Sequence, residues 1–377
     1  MLLLPGGIAL LLGLDAALLL LGLPAPLTTA RLPDIHGVLL VLGFVGTLVS
    51  AERAVALRRW WGFSAPIALG AGAIALLSPL PIEAGKALLL VGTLAQLGVY
   101  AALWRRQPAA AIAMQIIGAG LAAGGAALWL GGAPVATTLP WLVGFLVATI
   151  AGERVELSRV GGVTPAQEAG ASATTWALAG GVVAATLWPA VGHVLLGATL
   201  LALVAWLVRH DVARRTAGAT GAPRFMAWCL IGGYVWLTVA GAVWLLAGHV
   251  PEGPAYDAVV HAVFLGFVLS MIMAHASVIL PAVLRTPLPY HPAFYGPVIL
   301  LHASLALRLV GGDLKGQPWA LQLGGALNIV AVLTFFAFAI TSAAVAARRA
   351  PAAWPAATEP TAPPSTPSEP EHRLEIV

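Results

Sequence analysis

Four of the nine histidines, His36, His261, His275 and His302, fall inside long apolar runs. An ionisable side chain in such a run is costly to bury and marks a functional position by default. Imidazole nitrogen is a good ligand for haem iron and for copper, so the chemistry these residues offer is haem or metal ligation. His261 and His275 stand 14 positions apart. On a continuous α-helix their rings would point within about 40° of each other and lie about 21 Å apart along the axis.

Depth along the chain sorts the four into two pairs. His36 opens one apolar run and His261 lies about one turn into another, both from the same side, so these two can share an outer layer. His275 precedes Pro281 by six residues, and His302 lies about nine residues into the next run from the same side, which gives an inner layer. Asp257, four residues before His261, can hydrogen-bond that ring and fix its tautomer; a solvated Asp at a helix start is the alternative. Met271, four residues before His275, would suit Cu(I) or simply pack. Glu52-Arg53 and Glu153-Arg154 fall at the inner boundary, as interfacial ion pairs or as a proton path toward His275. His210, beside Asp211 in a basic turn, reads as solvated. Any single histidine can equally be a packed side chain bonded to backbone or hydroxyl groups.

The elements that must position these residues are membrane helices. The chain has 377 residues, 60% hydrophobic and 9% charged, with a mean hydropathy of +0.92. Soluble domains carry roughly 25% charged residues, so the solvent for most of this surface is lipid. Breaks at Pro, Gly and charged clusters give about twelve transmembrane spans, near 5–24, 35–57, 64–80, 85–104, 110–131, 137–153, 172–189, 191–208, 225–248, 257–281, 293–311 and 319–347. The expected fold class is an all-α polytopic membrane bundle over residues 1–349. Residues 350–377, rich in Pro, Ala, Thr, Ser and Glu, read as a disordered cytoplasmic tail. Met1 to Ala30 lacks the basic start of a cleaved signal and carries Asp15, so it reads as the first helix.

Fifteen of the 19 Lys and Arg residues fall on the side of the even-numbered turns and the C-terminus; Arg31, Lys86, Arg308 and Lys315 fall on the other. The positive-inside rule then predicts both termini in the cytoplasm of a bacterial-type inner (plasma) membrane. With the basic residues at helix ends, the net charge of +4 sets orientation and implies no nucleic acid partner. The single cysteine, Cys229, excludes disulfides, thiolate zinc sites and Cys-x-x-Cys-His haem attachment. No nucleophilic triad, Gly-rich phosphate loop or carboxylate dyad points to a hydrolase or kinase.

An internal repeat is visible. Gly43-Phe44, Gly144-Phe145 and Gly266-Phe267 are each followed, nine residues after the glycine, by Glu52-Arg53, Glu153-Arg154 and His275-Ala276. The pattern falls in helices 2, 6 and 10 and predicts three four-helix units. That architecture resembles subunit I of haem-copper oxidases, and the His261–His275 spacing resembles that of b-type cytochromes. The segments His261-Ala-Val-Phe-Leu-Gly-Phe-Val-Leu-Ser-Met-Ile-Met-Ala-His275 and His36-Gly-Val-Leu-Leu-Val-Leu-Gly-Phe44 resemble the NnrS family of twelve-helix haem- and copper-containing membrane proteins linked to nitric oxide metabolism. The resemblance covers these two helices and carries over His36 and His261 alone. It implies haem b or copper and a role in nitric oxide or respiratory physiology, with the bilayer and a redox partner or quinol as partners. Two other classes fit the same residues: a proton-coupled transporter or channel using the intramembrane His and Glu, and an assembly or sensory protein that holds haem or copper without turnover.

Overall fold

The computed structural model describes residues 3–284 and 288–349; Arg285 and the expected tail over 350–377 lie outside them. Among the described residues all regular structure is helical, as a lipid solvent requires, because a helix satisfies its own backbone polar groups. The membrane helices are α1 Leu4–Leu20, α2 Arg31–Leu57, α3 Trp60–Leu77, α4 Ile82–Arg106, α5 Ala110–Leu130, α6 Val135–Ser158, α7 Pro165–Leu187, α8 Pro189–His210, α9 Gly221–Ala247, α10 over 253–284, α11 Pro292–Leu314 and α12 Pro318–Arg349. Eleven of them are long and apolar enough to cross a bilayer, and α1 is a shorter apolar helix of 17 residues. The chain is an all-α, multi-pass membrane protein.

Connections are short and their chemistry is local. Pro165, Pro189 and Pro318 open helices, where the missing N–H costs nothing. Thr164 and Gln167 close a reciprocal capping box at the start of α7. Trp188 alone joins α7 to α8. That hairpin is so tight that a Cβ on Gly192 would lie 2.1 Å from the Ala185 backbone nitrogen, so only glycine fits there.

α2, α6 and α10 form the centre. In their most apolar stretches 67%, 78% and 67% of residues are buried, against 22% in α12, which faces lipid. α10 packs on both α2 and α6, and an Arg53–Glu153 ion pair joins α2 to α6. The three repeat glycines seat each central helix against other helices of its own unit. A Cβ would meet Ala73 of α3 and Ala9 of α1 from Gly43, Leu121 of α5 and Val182 of α7 from Gly144, and Trp236 of α9 from Gly266. The glycines therefore serve packing within each unit.

Two central helices share a further feature. Leu39–Gly46 in α2 and Ala262–Leu269 in α10 are π-helical. Both contain Leu-Gly-Phe-Val, and in both a hydroxyl three residues after the Phe (Thr47, Ser270) donates to the glycine carbonyl, at 2.7 and 2.6 Å. π segments have i→i+5 bonding and concentrate at functional sites.

Candidate metal centre

His36 and His261 line one cavity of about 90 Å³ where α1, α2, α6, α10, α11 and α12 meet. His36 Nδ1 lies 2.8 Å from the Gly13 carbonyl of α1. His261 Nδ1 lies 2.9 Å from the Asp257 carbonyl and 3.2 Å from its carboxylate. A ring nitrogen facing a carbonyl oxygen must carry the hydrogen, so in the neutral ring Nε2 holds the lone pair. Neither Nε2 has a hydrogen-bond partner among the described residues. Backbone or carboxylate acceptors behind Nδ1 are the usual support of a metal-bound imidazole.

Two side chains the sequence did not single out as ligand-facing complete the cavity wall. Arg308 of α11, 8% exposed, donates to the Asp257 carboxylate through Nε and Nη2, at 2.9 and 2.7 Å. Its Nη1 stands over Gly325 of α12. Asn328, one turn further along α12, donates to Ser304 Oγ at 2.6 Å, and its Oδ1 is buried without a partner among the described residues. Both residues line the cavity with the two histidines. Arg308 had been read only as one of four charges marking orientation. A lone arginine within an expected span was itself a signal.

The other two histidines do not form the expected inner pair. His275 Nδ1 bonds the Met271 carbonyl at 2.9 Å, and Nε2 accepts from Arg154 Nη1 of α6 at 2.9 Å, which occupies both nitrogens. His302 lies against α9: Trp236 Nε1–H donates to Nδ1 at 2.8 Å, the two rings are parallel within 9°, and Nε2 rests on Gly232. The expected alignment of His261 and His275 assumed unbroken α geometry. The π segment between them has wider turns, so His275 is carried round toward α6. Met271 turns its methyl toward Gly233 of α9 rather than to the His275 ring.

Arg154 is the hub of that inner region. It is 2% exposed and grips Asp211 through Nε and Nη2, both at 2.7 Å. Asp211 also accepts from the Tyr234 hydroxyl and the Ala213 N–H. Asp211, which the sequence did not single out, is 3% exposed. Burial alone would raise its carboxyl, but the Arg154, Ala213 and Tyr234 donors outweigh that and hold it below the ordinary value. Glu52 and Glu153 flank Arg53, at 3.4 and 3.0 Å from Nη2.

Imidazole nitrogen is of the donor type that binds copper or iron, and a cavity of about 90 Å³ has the size of a metal ion with one or two small ligands. A porphyrin does not fit it as it stands, since ligand pockets of drug size occupy about 300–1,000 Å³ and Leu14, Leu21 and Ile329 wall this one. Among the described residues no three His, Cys, Asp or Glu side chains converge on one point. No curated protein and no solved structure matches the chain. One family model, Domain of unknown function (DUF8744), matches residues 1–344, and the chain belongs to that family.

Proposed function

We propose that this protein is an integral membrane metal protein, similar in kind to the NnrS family, that holds copper or iron between His36 and His261 and serves nitric oxide or respiratory metabolism. One observation carries the proposal: two imidazoles on different helices, each with Nδ1–H tied back to a carbonyl and Nε2 without a hydrogen-bond partner among the described residues, line one cavity. Neutral imidazole is the form that ligates, and it avoids the cost of a charged ring in the membrane. Arg308 and Asn328 give a small molecule bound to that metal one donor and one acceptor. In this reading Asp257 positions both His261 and Arg308. Both termini face the cytoplasm of a bacterial-type inner membrane, and a redox partner or quinol exchanges electrons with the site.

The test is metal analysis with an absorption spectrum of the purified full chain in detergent. About one copper or iron per chain, with ligand-to-metal bands and no Soret band, is expected. A Soret band would show that the cavity opens to a porphyrin. Protein that stays metal-free after loading with either ion contradicts the proposal. A proton-coupled transporter is the second reading, favoured by the partly buried Glu52–Arg53–Glu153 group.

A further inference from the structure

Six buried polar atoms without a hydrogen-bond partner among the described residues belong to four side chains away from the histidines. They are Arg53 Nε, Gln96 Nε2 and Oε1, Tyr100 Oη, and Gln115 Nε2 and Oε1. Gln96, Tyr100 and Gln115 have no exposed surface. Gln96 and Tyr100 stand one turn apart on α4. Gln115, on α5, lies against Gly152 of α6, next to Glu153. The Tyr100 hydroxyl is within electrostatic reach of Arg53, Glu52 and Glu153, and the Gln96 amide stands at the edge of hydrogen-bond range from it, so at most one of the pair's polar atoms on each side is met by the other. Glu156 of α6 acts on Glu52, and His275 of α10 senses Glu153.

Unpaired donors and acceptors at membrane depth are costly, and each calls for a partner. The orphaned set decides which. It contains donors (Arg53 Nε–H, the two amide NH₂ groups, the Tyr100 O–H) and acceptors (both amide oxygens). An anion would satisfy only the donors and would meet two carboxylates. A metal cation would satisfy only the acceptors and would meet Arg53. Water satisfies both. Glu52 and Glu153 share one guanidinium, and their side chains are 25% and 19% exposed, so the group reaches the surface at the arginine-rich end.

We propose that Glu52, Arg53 and Glu153 form the mouth of a water-filled pocket that runs inward to Tyr100 and Gln96 and takes up protons from the arginine-rich face. This pocket lies between the first and second four-helix units and does not depend on the metal proposed at His36 and His261. Its protonatable groups are the carboxylates of Glu52 and Glu153, with Glu156 and His275 as the charged or titratable neighbours.

X-ray hydroxyl-radical footprinting of the full chain in lipid nanodiscs tests the water, because radicals formed from bound water modify side chains that bulk solvent does not reach. Tyr100 should be labelled although it has no exposed surface. Tyr234, equally enclosed but bonded to Asp211, should stay unlabelled. Equal silence at both tyrosines overturns the pocket. Infrared difference spectra between acid and alkaline pH test the proton. A carboxyl band that titrates in the native chain should be lost in Glu52→Gln or in Glu153→Gln. Its persistence in both variants, or no such band in the native chain, overturns the proton uptake.

Discussion

Arg53 Nη2 lies 3.0 Å from Glu153 Oε1, and one four-helix unit further along the chain Arg154 Nη1 lies 2.9 Å from His275 Nε2. In each case the arginine of one repeat pair reaches the first residue of the next pair. The third pair, His275-Ala276, ends in alanine, so no equivalent donor returns from α10 to Glu52. The two contacts bind the three central helices at a common depth and leave the third junction to apolar packing between α10 and α2.

Arg154 and Asp211 are 2% and 1% exposed at their side chains. Removing one partner of such a pair strands the other charge and costs about 3–5 kcal/mol, whereas replacing both by apolar residues of similar volume costs far less. Arg154→Met alone and Asp211→Leu alone should each unfold at markedly lower temperature than the native protein. The double variant should recover most of the loss. Additive losses would mean that the pair is not the unit of stability.

The same carboxyl predicts an acid limb. Asp211 is held below its ordinary value by its donors, so its contribution is complete above the unfolded value of about 3.9. That contribution is lost as pH falls through the lower folded value. Thermal unfolding followed against pH should show this part of the stability unchanged near neutrality and declining only below the usual carboxylate range. In Asp211→Asn the decline assigned to this group should vanish.

Gly266 and Gly98 make a matched contrast. A Cβ at Gly266 would lie 2.3 Å from Trp236 Cγ, while nothing lies within 4 Å of one at Gly98. Gly266→Ala should destabilise by about 1–3 kcal/mol through overpacking and disturb the Trp236–His302 hydrogen bond. Gly98→Ala, in an open helix interior, should stabilise by about 0.5–1 kcal/mol. Detergent unfolding curves of the two variants check both signs.

Much of this was legible from apolar length and punctuation. The expected spans correspond one for one to α1–α12, and the Gly-Phe repeat, followed by Glu-Arg in two helices and His-Ala in the third, marked the three central helices. Counting depth brought His36 and His261 to one cavity. The alignment of His261 with His275 failed, because a π segment leaves no mark in composition and changes the angle of everything after it, and depth alone did not show that His302 turns to Trp236 of α9. Asp211 stands among arginines in a turn and nothing in the sequence singled it out; the fold lays that turn over Arg154. Asn328 carries no charge, so nothing in the sequence distinguished it from a packed polar residue.

The proposed orientation rests on the charge split of 15 to 4. Reporter fusions after residue 349 and within the 209–224 turn should both report the cytoplasmic side. A periplasmic signal from either would invert the sidedness assigned to the arginine-rich end.

The metal content of histidine variants tests the account most directly. Native protein and His36→Ala, His261→Ala, His275→Ala and His302→Ala, each loaded and desalted identically, are compared for metal bound per chain. The account predicts loss of the metal in the first two and retention in the last two, whose acceptor nitrogens are engaged by Arg154 and Trp236. Retention in His36→Ala and His261→Ala, or loss confined to His275→Ala or His302→Ala, would contradict it.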